Sequence, residues 1–163
     1  MALFGRGRDV SLFRTINREM MGNVITQQCA FYKYVLDKTK VNMYGEASGG
    51  KFFEGPVLLN ALITVGDNTS PTSELGVDFA WPITVAFLRD DLVDTGVHPE
   101  VGDVILYQES YFEIDNTNEI QFVGGIPGND TNTDEGYDRR SWSIICTTFM
   151  VSKSNLNIEE RIN

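Results

Sequence analysis

The chain is expected to fold as a mainly β (α+β) domain, a small β-barrel or sandwich carrying an N-terminal helix and extended terminal arms. Three observations predict this. Between His98 and Gly124, the β-branched and aromatic runs Val104–Tyr107 and Tyr111–Ile114 flank Gln108-Glu109-Ser110, which has room only for a hairpin turn. Phe79 to Leu88 and Trp142 to Val151 alternate in period two, the signature of strands with two differently placed faces. A clear helical stripe lies near the N terminus. The length of 163 residues suits one domain spanning 1–163, and a hydrophobic fraction of 42% is ordinary for a globular core.

Taken in order, residues 1–8 read as an arm: Leu3 and Phe4 seek burial, while Gly5 and Gly7 between Arg6 and Arg8 disfavour a helix. Asp9 is a plausible N-cap, and Leu12, Phe13, Ile16, Met20 and Met21 recur at helical spacing, so a helix is expected over 9–22, ended by Gly22-Asn23. Residues 24–151 form a β-rich body. In it, Val24 to Val35 favours a strand, with continuation of the helix as the alternative. Phe52-Phe53 marks a short strand or packed loop, and the apolar run Val57–Val65 a core strand. The segment 67–73 is a loop by composition.

Pro82 cannot donate a ladder hydrogen bond, which places the start of the Phe79–Leu88 strand at a sheet edge or bulge. Residues 89–96 carry the chain through a turn or helical turn ended by Gly96, and Gly102-Asp103 opens the hairpin. Val104, Leu106, Phe112 and Ile114 are its expected core residues. Asp115-Asn116-Thr117-Asn118 is expected to turn the chain again, with Glu119–Val123 returning as a third strand. The segment 124–138, rich in glycine and acid, reads as a long exposed loop, and 152–163 as a tail that is helical or extended.

Charge divides the chain. The formal net charge is −10, yet residues 1–40 carry seven Lys/Arg against three acids, +4, leaving six against twenty, −14, for the rest. An acidic body is poorly suited to gripping a phosphate backbone, which is held by clustered basic groups. Lining a channel, it would let DNA pass without sequence-specific binding. Cys29 and Cys146 fall on predicted regular elements, as expected for buried thiols in a reducing compartment rather than a disulfide pair. No run approaches a membrane span and the start lacks the apolar core of a signal peptide, which points to a protein made in a cytoplasm.

Catalytic residues are not expected. His98 is the only histidine and precedes a proline in a turn, so no Ser or Cys nucleophile has a second base to draw on, and no nucleophile elbow or phosphate loop occurs. Asp130, Asn132 and Asp134 have the alternate spacing of the first ligands of a calcium loop, but Glu135 stands where that loop needs Gly and Ser141 where it needs a bidentate Glu. The expectation is therefore no catalytic, metal or cofactor site. A calcium-binding or carbohydrate-binding β module, or a hydrolase, are the rival readings.

Four pieces, F-G-R-G-R-D-V-S-L-F-R (4–14), K-V-N-M-Y-G-E-A (40–47), V-D-F-A-W-P-I-T-V-A-F-L-R-D-D-L-V-D (77–94) and P-E-V-G-D-V-I-L-Y-Q-E-S-Y-F-E-I (99–114), resemble neck proteins of contractile-tailed bacteriophages, including those of cyanophages. The resemblance implies a small β-barrel virion protein of the head-to-tail connector, assembled in the host cytoplasm. It further implies a homo-oligomeric ring, commonly of six subunits, between portal-side and tail-side proteins, acting in head completion or closure. Candidate partner-facing residues are Leu3, Phe4, Arg6 and Arg8 of the arm, with Arg14, Trp81 and Tyr137. The loop 124–138 has no assignable counterpart.

Overall fold

The computed structural model describes residues 7–39, 50–66, 72–73, 76–77, 81–119, 142–153 and 156–158. Helix α1 (Gly7–Glu19) runs into a wider π turn (Met20–Ile25) that ends at Thr26 in left-handed conformation. Strand β1 (Gln28–Tyr34) and a short 3₁₀ turn (Leu36–Lys38) follow, then the long β2 (Lys51–Val65). A two-residue ribbon, β3 (Thr72–Ser73) with β4 (Gly76–Val77), precedes β5 (Ile83–Leu88) and α2 (Arg89–Thr95). The chain continues through β6 (Val104–Tyr107), β7 (Ser110–Asn118), β8 (Ser143–Val151) and β9 (Leu156–Ile158).

Six antiparallel strands follow one another in the order β1-β6-β7-β8-β5-β2, and β2 pairs back onto β1, so the sheet closes on itself. The expected mainly β fold with an N-terminal helix is what forms. Closure requires β2 to serve two neighbours at once: Leu58 and Leu59 pair with Ala30 and Cys29 of β1, while Ala61 to Val65 pair with Phe87 to Ile83 of β5. Inside the ring lie Cys29, Phe31, Leu59, Ala61, Val85, Phe87, Ile105, Phe112, Ile114, Ile144 and Cys146, all buried. The alternation that predicts β8 correctly separates its inward Ile144, Cys146 and Thr148 from the outward Ile145, Thr147 and Phe149. Thr148 satisfies its buried hydroxyl by donating to the Ile83 carbonyl at 2.9 Å.

A second cluster sits on the other face of β1, where Tyr32, Phe53 and Val104 are buried with Tyr34, Leu106, Tyr111, Leu156 and Ile158 around them. Strand β9 reaches it by pairing in parallel with Lys51–Phe53 of β2, so at least part of the predicted C-terminal tail is an added strand. Phe53 changes faces relative to Leu59 because the chain is irregular at Gly55-Pro56. Gly55 has φ +143°, and a Cβ there would meet the Phe31 carbonyl oxygen at 2.8 Å, so only glycine fits.

Several boundaries differ from expectation. The helix begins at Gly7, so Gly7 and Arg8 belong to it rather than to an arm, and it runs on to Ile25, which delays the first strand to Gln28. Residue 115 is not a turn. Strand β7 continues past an irregularity between Ile114 and Asn116, because Asn116, Thr117 and Asn118 find partners in Thr147, Cys146 and Ile145 of β8, and those ladder bonds outweigh local turn preference. Strand β5 starts at Ile83, with Trp81-Pro82 outside it, and it lies between β2 and β8 rather than at an edge: Pro82 ends the ladder by ending the strand, its carbonyl accepting from the Gly66 N–H at 2.9 Å. In the hairpin, Ile105 rather than Leu106 faces the ring interior.

Candidate functional site

Helix α1 is oriented against the usual rule. A surface helix ordinarily lays its apolar stripe on the core and turns charges to water. At about 3.6 residues per turn, Arg14 and Arg18 share one face of α1, and Leu12 and Ile16 share the opposite one, continued by Met20 at the start of the π turn. The arginine face is the one that meets the body. Arg14 forms a two-pronged ion pair with Asp90, its Nε donating to Oδ2 at 2.9 Å and its Nη2 to Oδ1. Arg18 pairs with Asp91 at 3.0 Å and with Asp94. These acids are spaced along α2, whose start is set by the exit of β5 and whose end is set by Gly96 in left-handed conformation, its N–H reaching the Leu92 and Val93 carbonyls. Leu92 anchors α2 in the core.

The opposite face of α1 is left in solvent: Leu12 is 57% exposed, Ile16 41% and Met20 47%. Phe13, at the border of the stripe, stacks on Trp142 with ring centroids 6.1 Å apart. Trp142 in turn is fixed beside α2, its carbonyl accepting from the Arg89 N–H at 2.9 Å. Burial pushes the Asp91 carboxyl up, opposed by Arg18, and its neighbours Asp94 and Asp90 add to the rise. Arg18 is itself held above its ordinary value by hydrogen bonding to Asp94 and by the charge of Asp91. With the Arg18–Asp91 contact at 3.0 Å, we take the pair as ionised at neutral pH: Arg18 holds the cluster and Asp91 carries the desolvation cost.

Two other charged clusters are structural. Asp103, 1% exposed, accepts from the Tyr34 N–H at 2.9 Å through Oδ1, and through Oδ2 from the Glu100 N–H at 2.8 Å and the Lys33 ammonium at 3.0 Å. Lys33 also donates to Glu100 Oε2 at 2.8 Å and to the His98 carbonyl at 3.0 Å. Burial pulls the Lys33 ammonium down, but its bonds to Glu100 and Asp103 outweigh that and the net shift is upward; the same Lys33 bond holds the Glu100 carboxyl below its ordinary range. This clamp ties β1 to the corner before β6. Glu119 bridges Arg89, at 3.0 Å, and His98, at 3.3 Å, so His98 lies on the surface beside a carboxylate. Cys29 and Cys146 are both buried in the ring, and burial pushes each thiol up to about 12, far from a thiolate nucleophile at neutral pH.

Of the sequence-predicted interface residues, Arg14 forms an ion pair within its own chain with Asp90. Trp81 is exposed ahead of β5. Arg8 lies on α1, and Leu3, Phe4, Arg6 and Tyr137 lie outside the described residues, as do Asp130, Asn132 and Asp134 and the whole loop 124–138. Among the described residues no three His, Cys, Asp or Glu side chains gather as a metal site would need, and no helix is long and apolar enough to cross a membrane. Missed by the sequence reading were Asp90, Asp91 and Asp94 as the seat of α1; their spacing of one and four on a short helix, against Arg14 and Arg18 four apart, was the available signal. No protein-family model matches this chain, and no curated protein matches it.

Proposed function

We propose that the protein is a structural component of a phage neck, a subunit of a ring of six copies that joins the portal side of the head to the tail and helps close the packaged head. The observation that carries this reading is the inside-out seating of α1, bound to its own body through arginines and offering Leu12, Ile16 and Met20 outward. Exposing a contiguous apolar stripe on a well-anchored element is unfavourable for a free subunit and useful for an assembly part. The four sequence pieces that resemble neck proteins supply the kind of assembly. The charge of −14 on residues 41–163 suits the wall of a channel through which DNA slides without being held. The reading takes no cofactor and no catalytic step, and its partners are copies of this chain with portal-side and tail-side proteins.

The test is assembly in vitro. Packaged heads and tails made in the absence of this protein should stay separate and join when the purified full chain is added. Joining that proceeds equally well without it rejects the reading.

A further inference from the structure

The stripe on α1 has a counterpart on the same chain. Val57–Val65, all of β5 and all of β8 contain no charged residue, and these three strands are neighbours in the order β8-β5-β2. Their outward positions line up in cross-strand rows: Leu62, Ala86 and Ile145 form one, and Thr64, Thr84 and Thr147 the next. Leu62, 45% exposed, stands at one side of this face, with Leu58, 67% exposed, just beyond it along β2, and Phe149 is exposed at the other side. A strand triplet with no charge on its outer face is conspicuous in a region that carries −14 overall.

We infer that this outer face of β2–β5–β8 receives the Leu12–Ile16–Met20 stripe of α1 from a second copy of the chain. Two acidic bodies repel each other wherever carboxylates meet, so copies associate most cheaply through the uncharged face. The incoming α1 adds little negative charge, because Arg14 and Arg18 pair with Asp90, Asp91 and Asp94 of its own body and offset all but one of those three charges. Dimensions also agree. Leu12 to Met20 spans about 12 Å at about 1.5 Å per residue. Where β2 pairs with β5, from Ala61 to Val65, the face measures about 13 Å along β2 and about 10 Å across three strands. Donor and acceptor surfaces differ, so the contact is head-to-tail and propagates from copy to copy until it closes. The inference rests on the ring proposed above and names the contact that builds it.

The test uses two full-length variants, Ile16→Glu, which spoils the donor stripe, and Leu62→Glu, which spoils the acceptor face. Both positions are exposed, and thermal melting in dilute solution, where every chain is monomeric, should match the unsubstituted chain. Sedimentation at about 100 µM, tenfold above a Kd of about 10 µM, should show the unsubstituted chain as oligomers and each variant alone as monomer. Mixed one to one, the variants still own one good stripe and one good face between them, so dimers and nothing larger should form. Leu12→Glu with Leu58→Glu repeats the test if either first variant fails to fold. A monomeric unsubstituted chain, oligomers surviving in either variant, or a mixture without dimers each overturns the inference. Association by this contact without joining of heads and tails would reject the neck reading alone; joining with association indifferent to both substitutions would reject the contact alone.

Discussion

The ring interior and the stripe of α1 are both apolar by sequence, yet one is sealed by its own chain and the other is not. Phe31, Phe87, Ile105, Phe112 and Ile144 come from five different strands and are covered because the sheet closes around them. Leu12, Ile16 and Met20 lie on a helix that is held by ion pairs on its far side, and among the described residues about half of each stays exposed. Apolar periodicity therefore specifies that a face will be buried without specifying by whom. The residues opposite the stripe decide that: basic side chains facing three acids on α2 fix which way the helix turns.

The comparison breaks first in the ring. Phe112→Ala should cost about 3–5 kcal/mol in denaturant melts, since its ring is enclosed by the closed sheet; a loss below about 1 kcal/mol would mean the interior is not packed as described. Asp103→Ala comes next, at about 1–3 kcal/mol, because it leaves the part-buried N–H groups of Tyr34 and Glu100 without their acceptor. An unchanged melting midpoint would show that water replaces the carboxylate freely.

On the helix the expected costs are smaller. Arg14→Met should lower global stability by no more than about 1 kcal/mol, as expected for an ion pair about one-third exposed, while loosening α1 and raising its amide exchange. Equal exchange in both proteins would mean that the Phe13–Trp142 stack, not the ion pair, seats the helix. The smallest effect is pH-dependent. Glu100 is depressed by Lys33, so its contribution is present above the ordinary carboxylate range and fades as pH falls through its lowered value; Lys33 is raised, so its contribution is present at neutral pH and fades only as pH rises through its raised value. The gap in melting temperature between the unsubstituted chain and Lys33→Met should therefore be widest near neutrality and narrow toward acid. A gap independent of pH would contradict the pairing.

Much of the fold was legible because strand alternation is local. The inward and outward sets of β8, the burial of Cys29 and Cys146, the hairpin at Gln108-Glu109 and the stop at Gly96 each follow from a few neighbouring residues. What was not legible depended on partners far along the chain. Asp115–Asn118 has turn composition, but its ladder with β8 is made with residues about thirty positions away, and closure of the ring depends on β2 being long enough to serve both β1 and β5. The candidate surface was half legible. The stripe of α1 stood in the sequence, whereas its outward orientation needed the acids of α2, and the uncharged face needed the order of β2, β5 and β8.

The central claim, that the stripe of α1 is an assembly surface and the ring interior is not, is tested most directly by amide hydrogen exchange of the full chain across a dilution series. Residues 12–20 should exchange more slowly in the associated protein than in the dilute monomer, while β6 and β7, which lie on neither contact surface, exchange equally slowly in both. Protection of residues 12–20 that is already complete in the dilute monomer would contradict the claim.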